Sequence, residues 1–162
     1  DPAAYAGKLK IRRRVYRGFV LREPGQGAIR THEGVAAVDE AIAFLEQQAP
    51  LPPLAFDEIY ALAAADHVAA QGPRGAMGHD SADGSGFMDR IVRRGGTRGG
   101  GGEIISYGVD QAVGVVIQFI IDDGVASRGH RRNIFETRFT RQGAACGPHR
   151  DYGNMCVIDF GY

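Results

Sequence analysis

The segment Gln142-Gly143-Ala144-Ala145-Cys146-Gly147-Pro148-His149-Arg150-Asp151-Tyr152-Gly153-Asn154-Met155-Cys156-Val157-Ile158-Asp159-Phe160 holds two short apolar or alternating runs around a turn-rich centre. Gly147, Pro148 and Gly153 are turn-formers, so residues 138–146 and 154–160 read as antiparallel strands joined by a longer loop. Cys146 and Cys156 flank that loop. On paired strands two cysteines come close enough to bridge, with two buried free thiols as the other reading. A bridge implies an oxidising compartment.

Upstream of this hairpin the periodicity is helical. Asp1-Pro2 is a helix-start pattern for residues 1–17. A Gly/Pro stretch with Gly18, Pro24, Gly25 and Gly27 follows, and then Val35, Val38, Ile42 and Leu45 mark an amphipathic helix ending near Pro50. Asp57 caps an Ala-rich helix that Gly72-Pro73 stops at Gln71. Ser85 to Arg94 fits a short helix, and Asp110 caps a long apolar one that ends at Asp122-Asp123-Gly124. Between these last two helices, residues 95–102 hold six glycines and read as a flexible surface loop. A phosphate cradle would need a following Lys-Ser/Thr and a leading apolar strand, and both are missing. Helices first and strands last, with short connections, make a single α+β domain over residues 1–162.

Composition sets the outer limits. Hydrophobic residues are 44% and charged residues 23% of 162, ordinary for a folded chain. Glycine is in excess, 24 residues, which requires many tight turns or a loose loop. Lys plus Arg and Asp plus Glu are both 19, a balance that argues against a nucleic-acid binder. Residues 1–30 nevertheless carry eight cations against Asp1 and Glu23, a basic segment read as a membrane-binding or RNA-binding arm or as a solvated helix face. The best apolar run, Val113 to Ile121, is too short to span a membrane. The start at Asp1, without Met or a signal pattern, reads as a processed or trimmed chain.

Candidate chemistry gathers in the loops. Asp122 and Asp123 place two carboxylates at a helix C-terminus, where cations are favoured, and such rule-breaking marks a site; two solvated turn residues are the plain alternative. His79 lies in Gly78-His79-Asp80-Ser81-Ala82-Asp83-Gly84, and His130 follows Gly129. Glu103 opens the apolar run Ile104-Ile105-Ser106-Tyr107. His32 and His67 read as surface or capping groups. The spacing matches neither a zinc motif nor a calcium loop, and there is no Gly-x-Ser-x-Gly elbow. No convincing nucleophile stands out.

Four motifs in order, Gly78-His79-Asp80-Ser81 with Asp83-Gly84-Ser85, Gly102-Glu103-Ile104-Ile105, Arg128-Gly129-His130-Arg131-Arg132-Asn133-Ile134 and Asp159-Phe160, resemble the CAP superfamily. That group comprises cysteine-rich secretory proteins, antigen 5, pathogenesis-related group 1 proteins and bacterial SCP-like domains. The blocks at 122–131 and 146–156 look like its bacterial and protist branch.

The resemblance implies a three-layer α–β–α sandwich with a central, mainly antiparallel sheet, placed outside the cell or in the periplasm. It also implies a cleft lined by two His and two acids. Residue by residue, His79 matches the His of the family's His-Ser/Thr loop, Glu103 the Glu of Gly-Glu-Asn and His130 the His of its Gly-His motif. The second acid falls on Asp122 or Asp123. The motif's Asn is Ile104 here, and the chain has no Trp.

Two imidazoles with carboxylates behind them suit Zn²⁺, so His79, Glu103, Asp122, Asp123 and His130 are the expected metal residues; a metal-free hydrogen-bonded cluster is the alternative. The expected function is a monomeric, metal-capable binding domain without a defined reaction, with a lipid, sterol or glycan as ligand. A metal-assisted hydrolase of peptides or glycans is the rival reading.

Overall fold

The structure is a computed structural model that describes residues 1–25 and 27–162. Its contacts divide the chain into two compact units, residues 1–52 with 116–134 and residues 53–115 with 135–162.

In the first unit, α1 (Pro2–Arg13) is capped by Asp1, whose carboxylate accepts from the Ala4 N–H. It packs against α2 (Val35–Gln47), which buries Ala37, Val38, Ala41, Ile42 and Leu45 at the predicted helical spacing. The Gly/Pro stretch between them forms a small antiparallel sheet of β1 (Tyr16–Arg17), β2 (Val20–Leu21) and β3 (Ile29–Arg30). Several cations of the basic segment have acidic partners: Lys10 pairs with Glu46, Arg12 with Glu23 and Arg13 with Asp39.

The second unit is built on a four-stranded sheet. In chain order its elements are β4 (Ala55–Phe56), α3 (Glu58–Gln71), a 3-10 turn at Gly72–Arg74, α4 (Phe87–Arg93), β5 (Gly101–Tyr107), β6 (Arg141–His149) and β7 (Gly153–Gly161). The strand order is β4-β6-β7-β5, with β4 parallel to β6 and the other pairings antiparallel. Asp57 caps α3 as expected, accepting from the Ile59 and Tyr60 N–H groups. The predicted hairpin is present, and Cys146 and Cys156 are register partners joined by a disulfide, with Cα atoms 4.1 Å apart.

Register decides what faces α3. Residues directly opposite in a sheet share a face, so Glu103, Asp159 and Gly143 lie in one row and Ile105, Val157 and Ala145 in another two residues on. Ile105 and Val157 pack with Ala64 and Val68 of α3. Gly143 is what lets the helix sit so low: a Cβ there would fall 2.0 Å from the Ala61 nitrogen.

The glycine run differs from the expected loose loop. Gly101 and Gly102 are strand residues paired with Gly161 and Phe160, and a Cβ on Gly100 would enter the Tyr162 ring. Close packing, not looseness, accounts for Gly100 and Gly101.

The helix α5 (Ala112–Ile121), whose residues from Val116 onward belong to the first unit, opens two residues after Asp110, with the Val115 N–H bonded to the Gln111 carbonyl. A short helix that the sequence reading did not resolve, α6 (Gly129–Ile134), carries His130. Among the described residues no helix is long and apolar enough to cross a membrane.

Candidate functional site

The site residues form two histidine–carboxylate pairs, one in each unit. In the second unit, His79 stands on the loop between α3 and α4. Its Nδ1 lies 2.8 Å from Glu103 Oε1. Glu103 Oε2 accepts from Arg90 of α4, whose side chain is fully buried. Both carboxylate oxygens of Glu103 are therefore taken, while the His79 side chain is 57% exposed with Nδ1 turned inward. Bonding to Glu103 raises the His79 pKa above its usual value and outweighs desolvation. Burial pushes Glu103 up, but the His79 hydrogen bond and the Arg90 charge hold it below the ordinary carboxylate range.

Sequence reasoning missed three members of this site. Asp159, across the sheet from Glu103, is completely buried, and among the described residues neither of its oxygens has a hydrogen-bond partner. Burial and the Glu103 charge drive its pKa up, so it holds a proton that it can share with Glu103. Arg90 also donates to the carbonyls of His79 and Ser85 and to Ser81 Oγ.

His67 is the third, and it is a correction. Expected at the surface, it is fully buried under the His79 loop. Its Nε2 lies 2.9 Å from the Gly78 carbonyl and its Nδ1 3.1 Å from Ser81 Oγ. A carbonyl only accepts, so Nε2 carries the proton and Nδ1 is the acceptor. Burial lowers the His67 pKa and keeps the ring neutral. Gln71 donates to the Gly78 and Asp80 carbonyls, the Tyr107 hydroxyl accepts from the Gly78 N–H, and His149 donates to the Ala76 carbonyl. The loop is thus held from α3, α4, β5 and β6.

In the first unit, α5 ends at Ile121 and Asp122 turns the chain in the left-handed region, at φ 53°. Asp tolerates that conformation better than most residues. Its Oδ1 lies 2.6 Å from His130 Nδ1, and its Oδ2 accepts from the His130 and Arg131 N–H groups. The His130 ring stacks on Phe119. Asp123 points elsewhere and accepts from the His32 and Glu33 N–H groups. Asp122 is therefore the acid that meets His130. Arg128 locks the turn, donating to Glu33, Glu40 and the Asp122 carbonyl.

The family model of CAP, the cysteine-rich secretory protein family, matches residues 13–160. The chain belongs to the CAP family. Three solved bacterial structures share the CAP fold with it. An extracellular protein with an SCP domain from Bacillus anthracis is 22% identical, with TM-score 0.56, covering 78% of this chain and 37% of that one. An outer surface protein of Borrelia burgdorferi is 19% identical, with TM-score 0.57, covering 68% of this chain and 78% of that one. A cysteine-rich secretory protein of Staphylococcus aureus is 9% identical, with TM-score 0.52, covering 86% of this chain and 44% of that one. This CAP chain thus spans less than half the length of two of the three. No curated protein sequence matches it.

The fit to a metal is uneven across the CAP site residues. Among the described residues no three His, Cys, Asp or Glu side chains gather as a cage. Glu103 and Asp122 spend their oxygens on imidazole, guanidinium and backbone groups. What each pair offers is an imidazole whose Nδ1 is fixed by a buried carboxylate, leaving Nε2 as the coordinating atom. That arrangement orients histidine ligands in metal sites and raises their basicity.

Proposed function

We propose that this CAP domain works outside the cell as a binding module for a divalent cation such as Zn²⁺, with Nε2 of His79 in one unit and Nε2 of His130 in the other each offered as a coordinating atom. Glu103 and Asp122 act behind the imidazoles, as orienting groups. The observation that carries this reading is the repeated pairing of Nδ1 with a buried carboxylate, at 2.8 Å for His79 and 2.6 Å for His130. A bound ion would supply Lewis acidity. The chain's own residues set the tautomer and aim of each ring.

The disulfide and the extracellular or outer-surface descriptions of two bacterial neighbours support the location. The basic N-terminal segment lends little support to a membrane role, because Lys10, Arg12 and Arg13 are paired with acids.

Calorimetric titration with zinc tests the reading. His79→Ala and His130→Ala should each weaken or remove the heat of binding seen in the wild type. Equal heats from all three proteins would reject it.

A further inference from the structure

We propose that Ser81 is a nucleophile activated by His67, forming a second site that acts on small acyl esters. This goes beyond the zinc reading and uses neither His79 nor His130.

A nucleophile and its base are recognised when the two are within hydrogen-bond reach and a third group orients the base. Ser81 Oγ lies 3.1 Å from His67 Nδ1. The Gly78 carbonyl, 2.9 Å from Nε2, fixes the tautomer that leaves Nδ1 free to take a proton. Arg90 NH1 donates to Ser81 Oγ at 3.2 Å, so a buried positive charge favours loss of the hydroxyl proton to His67.

Ser81 also lines a cavity of about 450 Å³, with a floor of small residues, Ala69, Ala70 and Ala82. Two more arginines, Arg74 and Arg93, line it as well. The acids that line it, Asp66 and Asp83, are paired with Arg94 and Arg93, and Arg90 with Glu103, which leaves Arg74 as the lining charge without an ion-pair partner among the described residues. The walls therefore suit a short acyl chain ending in a carboxylate.

In the step itself, Ser81 Oγ adds to the ester carbonyl carbon as its proton passes to His67 Nδ1. The bond to the alcohol oxygen breaks, the alcohol leaves with that proton, and an ester to Ser81 remains. Water then adds, gives a proton to His67 Nδ1 and releases the acid, and that proton restores the Ser81 hydroxyl.

The test uses 4-nitrophenyl acetate and mono-4-nitrophenyl succinate, with EDTA present throughout so that failure here and failure of the zinc reading stay distinct. Peptide mass spectrometry should find the acyl group on Ser81, and Ser81→Ala should release nitrophenolate no faster than buffer. His67→Gln should slow acylation about 100-fold, the loss of a general base. An unlabelled Ser81, undiminished release by Ser81→Ala, or unchanged acylation in a folded His67→Gln overturns the proposal. Should His67→Gln fail to fold, Ser81→Ala alone decides. The succinyl ester should react faster than the acetyl ester, and Arg74→Ala should remove that advantage; equal rates in the wild type overturn the assigned substrate class.

Discussion

Asp159 faces Glu103 directly across the β5–β7 ladder, two acids side by side with both side chains buried. One of them must hold a proton. The shifts put it on Asp159, because Arg90 and His79 stabilise the charge on Glu103. Folded Asp159 therefore binds a proton that the unfolded chain releases above the ordinary Asp range, so this group lowers stability as pH rises. Asp159→Asn should stabilise the protein at neutral pH. The gain should shrink by about 1.4 kcal/mol per pH unit on acidification and vanish near the unfolded Asp pKa. Urea melts of both proteins across that range would check it.

His79 shows the opposite sign. Its folded pKa is raised, mainly by the hydrogen bond to Glu103. Its contribution to stability is complete below the unfolded His pKa and disappears as pH rises through the folded value. In NMR titrations the His79 ring should titrate above a free imidazole, and Glu103→Gln should bring it back down.

Arg90 holds Glu103 in place from inside the fold, fully buried. Removing one partner of a buried pair leaves the other charge uncompensated. Arg90→Met should cost about 3–5 kcal/mol, measured as a lower denaturation midpoint.

Gly143 should tolerate no side chain. Its Cβ would overlap the α3 backbone, which cannot rotate away as a side-chain tip can. Gly143→Ala should destabilise by about 1–3 kcal/mol or more through overpacking, whereas Gly99→Ala, which meets nothing within 4 Å, should melt like the wild type.

Asp122 and Asp123 should separate cleanly. Of the two, Asp122 bonds the His130 ring and Asp123 bonds backbone N–H groups instead. Asp122→Ala should weaken zinc binding about 10-fold or more, as loss of an orienting group does. Asp123→Ala should leave zinc affinity unchanged and loosen only the backbone at His32 and Glu33.

Much of this was legible in the chain itself. Asp57 before an Ala-rich run marked α3, and two alternating segments marked the β6–β7 hairpin with its bridge, although Gly147 and Pro148, read as turn residues of a longer loop, are strand residues of β6. His79, Glu103 and His130 stood out by their motifs, and the structure gives each the expected partner type, acid for imidazole. The order of Asp122 and Asp123 was not readable, because it depends on a backbone reversal at φ 53° that turns only one of them towards His130. His67 was misjudged because an Ala-rich helix has little contrast between its faces, so no period shows which side is covered. Arg90 and Asp159 were missed for a shared reason. A charge is normally solvated, and only pairing across separate elements makes its burial tolerable.

The Cys146–Cys156 bridge ties the two strands of the hairpin three residues before His149, and His149 holds the Ala76 carbonyl at the head of the His79 loop. The thiol state of the hairpin and the placement of that loop are thus mechanically linked. The bridge therefore adds a covalent tie to the hydrogen-bonded ladder of β6 and β7, close behind the strand end that anchors the loop.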